Sequence, residues 1–327
     1  MHDSQKGIAM TLRTLVPTLL LALAATCLAQ VGHPLVLVGD TSAAENASPV
    51  LEIVTRGHTF DLSADEIASG WTTIRLRNES DEPHFALFGL MPEGRGMEDS
   101  VREVVPVFQD AMDLIMAGDV EEGFAALGGL PEWYGNVVYS GGPGMVSPGG
   151  TTEVVAFLEP GTYVIECYVK TEDGVFHSVR GMIDEITVAD VPHAGEPPAA
   201  DLVVSLSNPQ PDDGSAPESG IEVEGTPAPG PQVVEVRFTS EDPPLLANDL
   251  HLVRLAGGED VADVAAWMDW SNPGGLKTPA PATFLGGTHE MPQGQSAYLS
   301  VDLQPGRYAW VSERAADAPL YQVFEVR

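Results

Sequence analysis

The stretches "GGPGMVSPGGTTEVVAFLEPGTYVIEC", Gly141 to Cys167, and "GGTHEMPQGQSAYLSVDLQPGRYAWVS", Gly286 to Ser312, align without a gap. One motif therefore occurs twice, the mark of a duplicated structural unit. Each copy has a glycine turn, an alternating run (Thr152 to Leu158; Ala297 to Leu303), a Pro-Gly turn, and a second run opening on Tyr163 or Tyr308. Period-two alternation bounded by Pro and Gly predicts half-buried antiparallel strands, so the chain reads as all-β. The tyrosine after each Pro-Gly has the placement of one that pins a sandwich corner through its hydroxyl.

The match extends upstream, where "TTIRLRNESDEPHFALFGL" parallels "VVEVRFTSEDPPLLANDLHLVRLAG" and sets His84 opposite His251. Downstream, "GMIDEITV" and "PLYQVFEV" close the two copies. The Pro-rich run "ADVPHAGEPPAA" reads as a linker between them. The expected organisation is a signal peptide over 1–29, an N-terminal extension over 30–49, a first domain over 50–189, a linker over 190–200 and a second domain over 201–327. "NPQPDDGSAPESG" reads as a surface loop of copy two.

Copy one is longer in two places. His84 precedes Gly141 by 57 residues and His251 precedes Gly286 by 35, a difference of 22. The excess holds "MEDSVREVVPVFQDAMDLIMAG", in which Val101, Val104, Val105, Phe108, Met112, Ile115 and Met116 share a helical face. Pro106 requires a kink there or a helix that starts near it. "DVEEGFAALGG" predicts a further short helix, and together these read as a lid over the sandwich. The second excess lies between Cys167 and Met182: Tyr163 to Val188 spans 25 residues, Tyr308 to Val326 only 18. Copy two has Ser312 in place of Cys167 and no His or Met after it.

The ends and composition bound the setting. Lys6, Arg13, the apolar run "LVPTLLLALAATCLA" and Ala29 read as an export signal, too short for a membrane span. No later segment has the length and apolarity of an integral membrane span. Cys27 falls in the signal, and Thr26 before it argues against a lipid anchor. Cys167 is then the lone exported thiol, with no partner for an intramolecular disulfide. A formal charge of −33 argues against nucleic acid and anionic membranes as partners and favours a basic protein, for example a basic redox protein.

The order of one His, then Cys, His and Met clustered late, in the frame "PGTYVIEC…H…GM…ITV", resembles the cupredoxin family, whose fold is a Greek-key β-sandwich. The resemblance covers most of copy one and, without ligands, most of copy two. It implies tandem cupredoxin-like sandwiches, the first with a helical insertion. It also implies one copper ion, with Cys167 as thiolate ligand, His84 and His177 as imidazole ligands and Met182 as axial sulfur. Two imidazoles, a thiolate and a weak thioether suit copper in both oxidation states and so suit electron transfer. Two departures stand beside this. The loop from Cys167 to His177 is long for the family, and Pro83 precedes His84 where Asn is usual.

Each residue also has a plainer reading. Cys167 can be a packed thiol, His84 a hydrogen-bonded strand histidine and Met182 a core residue. On that reading the chain is a metal-free binding or interaction module. The "TEDG" turn, Thr171 to Gly174, can return His177 to the site, or can form a hairpin that carries it past. Zinc on Cys and two His is a weaker option, because Met182 then has no role and no acid is spaced as a general base. His58, His193 and His289 read as surface residues, and copy two is expected to hold no metal. No GxSxG elbow, phosphate loop, HExxH or dinucleotide fingerprint occurs, so the sequence reads as no enzyme. "GGPG" and "SPGG" read as turns.

Overall fold

The computed structural model describes residues 49–207, 220–240, 249–314 and 319–327. The signal peptide, Cys27, the N-terminal extension up to residue 48 and nearly all of the Pro/Asp-rich loop lie outside these. Among the described residues no helix is long and apolar enough to cross a membrane.

Copy one supplies strands β1 (Val50–Thr55), β2 (Phe60–Leu62), β3 (Glu66–Ala68), β4 (Gly70–Asn78) and β5 (Leu87–Leu90). Three helices follow, α1 (Met97–Glu103), α2 (Val105–Ala117) and α3 (Val120–Ala126). Then come β6 (Val138–Tyr139), β7 (Thr151–Leu158), β8 (Gly161–Glu166) and β9 (Ile183–Ala189). Copy two supplies β10 (Leu202–Ser207), β11 (Gly220–Glu224), β12 (Gly230–Phe238), β13 (Leu250–Arg254), a helix α4 (Val261–Trp267), β14 (Thr283–Thr288), β15 (Ser296–Leu303), β16 (Gly306–Ser312) and β17 (Leu320–Val326).

The alternation read in the sequence shows as alternating burial, for example along β4 and β15, because successive side chains of a strand point to opposite faces. The copies repeat the same ladder. Strand β1 pairs parallel to β4 as β10 does to β12, and β5–β8–β9 recurs as β13–β16–β17. The mixed parallel and antiparallel pairing, with a sheet from each copy contributing inner faces to one apolar core, is the cupredoxin-like sandwich made twice. The corner tyrosines behave as their position implies. The Tyr163 hydroxyl donates to the Glu159 carbonyl at 3.1 Å and the Tyr308 hydroxyl to the Gln304 carbonyl at 2.8 Å.

The copies are not beads on a linker. Strand β15 pairs antiparallel with β7, Leu299 opposite Val154, so one eight-stranded sheet runs β11-β10-β12-β15-β7-β4-β1-β2 through both. A second seam uses the "GGPG" glycines, which the sequence reading took for a turn. Gly144 N–H donates to the Gly287 carbonyl at 2.8 Å and Gly141 N–H to the Glu290 carbonyl at 2.9 Å. Gly142 has φ +107°, and a Cβ there would sit 2.2 Å from the Ala86 carbonyl oxygen. Only glycine allows this approach.

The insert breaks where the proline demands. Helix α1 ends at Glu103, and α2 starts at Val105 with Pro106 in its first turn, where the missing N–H costs nothing. The break changes the rotational register, so Val101 is exposed while Val104, Val105, Met112 and Ile115 are buried. The insert reaches the loop after Cys167: Phe176 N–H donates to Gln109 Oε1 at 3.0 Å.

Candidate metal centre

Three elements deliver the candidate ligands. His84 stands on an isolated bridge opposite Val146, just ahead of β5, and its backbone exchanges N–H and C=O with that residue. Cys167 is the first residue after β8. The following loop folds as a small hairpin: Lys170 bridges Phe176, Gly174 N–H donates to the Thr171 carbonyl, and His177 N–H donates to the Val169 carbonyl at 2.8 Å. The hairpin lies between Cys167 and His177 and returns the histidine to the site. Met182 N–H then donates to the His177 carbonyl and Cys167 N–H to the Met182 carbonyl, so the backbone ties all three together.

The side chains converge. Cys167 Sγ lies 3.8 Å from His84 Nδ1 and 3.7 Å from His177 Nδ1, and the two Nδ1 atoms are 3.2 Å apart. Donors bound at about 2.0 Å (N) and 2.3 Å (S) in a trigonal plane stand about 3.7 Å apart for S and N. The sulfur–nitrogen spacings match and are long for hydrogen bonds to the sulfur, while the 3.2 Å between the nitrogens is a little under the about 3.5 Å that such a plane gives. Met182 is wholly buried in the same core.

Burial sets the protonation states. It pulls His84 down to about 3, helped by repulsion from His58 and opposed by the Gly57 carbonyl. It pulls His177 down to about 2, with His84 and His58 adding to the effect. Both imidazoles are therefore neutral, as ligands must be. The thiol is pushed up to about 12, again by burial. A metal ion is the group that removes its proton at neutral pH.

Two further residues lie at this site: Glu82, which the sequence reading did not single out, and His58, expected at the surface. Glu82 Oε2 lies 3.1 Å from His177 Nε2 and 2.7 Å from His58 Nε2, while Glu82 Oε1 accepts from the Thr278 hydroxyl at 3.1 Å. His58 is no simple surface residue. Its ring centroid is 4.5 Å from that of His177 and 6.4 Å from that of His84. With Nδ1 turned inward, His177 leaves Nε2 facing Glu82 at 3.1 Å but without an aligned hydrogen bond, so a small rotation of the carboxylate would give the arrangement that orients a ligating histidine. Glu82 also lines an open cleft of about 440 Å³ with Asp81, Glu172 and Thr278.

Copy two differs in detail from the sequence alignment. Leu87 pairs with Glu166, while His251 pairs with Val311, the residue that the repeat matches to Glu166. His251 is thus level with Leu87, three residues past His84. A further group, Asp249, His251 and His289, has potential ligand atoms within 4.8 Å of one another. It is closed by its own hydrogen bonds. Met145 N–H donates to His251 Nδ1 at 3.0 Å, and the His251 Nε2–H donates to Asp249 Oδ2 at 2.7 Å. The Ser312 hydroxyl and the Glu313 N–H occupy Asp249 Oδ1. Both nitrogens of His251 are committed, which leaves it no lone pair for a metal. His289, expected at the surface, is buried with its ring 4.3 Å from that of Phe85, and burial lowers it to about 3. His193 is partly buried and caps the start of β4, its N–H donating to the Ser69 carbonyl.

No family model matches the chain, and no curated protein matches it. Solved structures do. A dithionite-reduced auracyanin from Roseiflexus castenholzii is 21% identical, covering 44% of this chain and 98% of its own, with a TM-score of 0.25. A multicopper oxidase is 16% identical, covering 85% and 88%, with a TM-score of 0.23. A copper nitrite reductase from Nitrosomonas europaea is 14% identical, covering 86% and 94%, with a TM-score of 0.21. Such scores transfer no activity. The reading of the chain as a non-enzyme does not stand, since proteins named as a multicopper oxidase and a copper nitrite reductase are among these matches. What the ladder and the ligand geometry establish is a cupredoxin-like chain with a candidate His84–Cys167–His177 group for a soft metal ion.

Proposed function

We propose that the chain binds one copper ion through His84, Cys167 and His177, with Met182 as axial sulfur, and serves as a one-electron redox protein. The observation that carries this reading is the convergence of one thiol and two neutral imidazoles, fully buried, at spacings close to those a trigonal metal requires. Copper held by such donors exchanges one electron with little rearrangement. The chain's own contribution is to hold the donors fixed and dry. Glu82 stands 3.1 Å from His177 Nε2, within reach to orient it, and His58 packs against His177 with 28% of its side chain exposed. The two copies act as domains, 50–189 and 201–327, joined by a linker, and the chain is exported. A basic redox partner fits its acidity.

The test is to load the protein with Cu(II) and record its visible spectrum. An intense thiolate-to-copper band near about 600 nm is expected, bleached by a one-electron reductant, restored on reoxidation and absent in Cys167→Ser. A colourless protein that retains no copper leaves the metal-free interaction module.

A further inference from the structure

The loop that returns His177 to the site is held by the other copy. Lys170, three residues past Cys167, is wholly buried. Its N–H donates to the Leu276 carbonyl at 2.7 Å, and its carbonyl accepts from Thr278 N–H at 2.9 Å. Its Nζ donates to the Trp270 and Asn272 carbonyls, each at 2.7 Å, lies 3.6 Å from Met112 Sδ of α2, and sits 5.9 Å from the centre of the Phe176 ring. Every backbone and side-chain donor or acceptor of this residue outside its own hairpin thus points into copy two or the insert. The receiving segment is itself tied down. Leu276 N–H donates to the Trp267 carbonyl at 2.6 Å, and Trp267 Nε1 donates to the Lys277 carbonyl at 2.9 Å. Thr278, next in line, holds Glu82.

Burying a lysine is costly, and the cost is met only by groups placed to receive it. Burial pulls its pKa down to about 7, with Asp269 and Glu313 opposing, and the two carbonyls accept from the ammonium or the amine alike. Nothing in the redox reading calls for this residue. Its position within the Cys167–His177 loop does: without an anchor, an excursion of nine residues would open and shut, and each opening would part the ligands.

We propose that copy two is a template for the metal loop of copy one, and that Lys170 is the positioning residue that keeps Cys167 and His177 in ligand geometry before any metal arrives. This rests on the copper reading for its purpose but not for its test. The experiment follows the reaction of Cys167 with an aromatic disulfide in the metal-free full chain carrying Cys27→Ser, for wild type, Lys170→Met and Lys170→Gln. The copper-loaded spectrum is recorded for each alongside. Wild type reacts slowly. Lys170→Met should react about tenfold faster or more, since each hydrogen bond from a charged donor is worth about that factor, and Lys170→Gln, which keeps one donor group, should fall between. The copper band should shift or weaken in the same order. Should Lys170→Met fail to fold, Lys170→Gln alone decides. Thiol rates and bands equal to wild type overturn the proposal, even if melting temperature falls. A wild type without a copper band overturns the copper reading, while the thiol rates still test the template.

Discussion

Replacing Glu82 by Gln keeps the shape of the side chain and removes the charge that faces His177. The carboxylate is shared by His177 Nε2 at 3.1 Å, His58 Nε2 at 2.7 Å and the Thr278 hydroxyl at 3.1 Å, and is 29% exposed. His177 must hold its proton on Nε2 to offer Nδ1 to a metal, and a carboxylate at that distance favours this tautomer. A glutamine oxygen can still accept, but without charge, and it has to divide one oxygen among donors that now share two. Loss of such an outer partner typically weakens metal binding by about 10 to 100-fold, or roughly 1.4 to 2.7 kcal/mol. Competition of Cu(II) between the protein and a chelator of known affinity measures it directly, with urea unfolding of the metal-free form as the control for folding. An affinity in Glu82→Gln equal to wild type would show that Glu82 does not orient the ligand.

Further outcomes follow from other contacts. Asn78, buried, accepts from the Thr55 hydroxyl and Ser80 N–H and donates to the Glu82 and Val146 carbonyls, so Asn78→Ala should cost about 2 to 4 kcal/mol in urea unfolding. Tyr308→Phe removes the 2.8 Å bond to the Gln304 carbonyl and should cost about 1 kcal/mol in the same assay. His58→Ala should leave the copper band in place yet slow electron exchange with an external partner, as read by stopped flow, because both ligand histidines are buried and His58 is the partly exposed ring against them. An unchanged rate would place the electron's exit elsewhere. His289 is held at about 3 by burial, below its unfolded value near 6.5, so in acid the unfolded chain takes up a proton that the folded one refuses, and stability falls. Between pH 6.5 and 4.5 the metal-free wild type should lose about 2 kcal/mol more than His289→Phe, and equal losses would mean that the ring is hydrated.

Much of this was legible in the sequence because the signals are local. Alternation, Pro-Gly turns and the corner tyrosines repeat in register, and Cys167, His177 and Met182 lie within one strand and loop. Glu82 and His58 were not legible. They reach His177 from a turn and a loop about a hundred residues upstream, and neither has ligand spacing to anything near it. The register of His251 was lost for a related reason. Identical residue types invite alignment, but the ladder is fixed by pairing to β16, and there His251 answers Leu87. The two seams between the copies left only glycines and an ordinary alternating strand as traces. Lys170 carried no signal in the sequence, because burial of a charge depends on carbonyls supplied a hundred residues later.

The central claim is that one sulfur and two imidazoles hold a single metal, and X-ray absorption at the copper edge of the loaded protein tests it most directly. One copper–sulfur distance of about 2.3 Å and two copper–nitrogen distances of about 2.0 Å, with the sulfur shell lost in Cys167→Ser, are the result this account predicts. Copper surrounded by oxygen and nitrogen alone in the wild type, unchanged by Cys167→Ser, would contradict it.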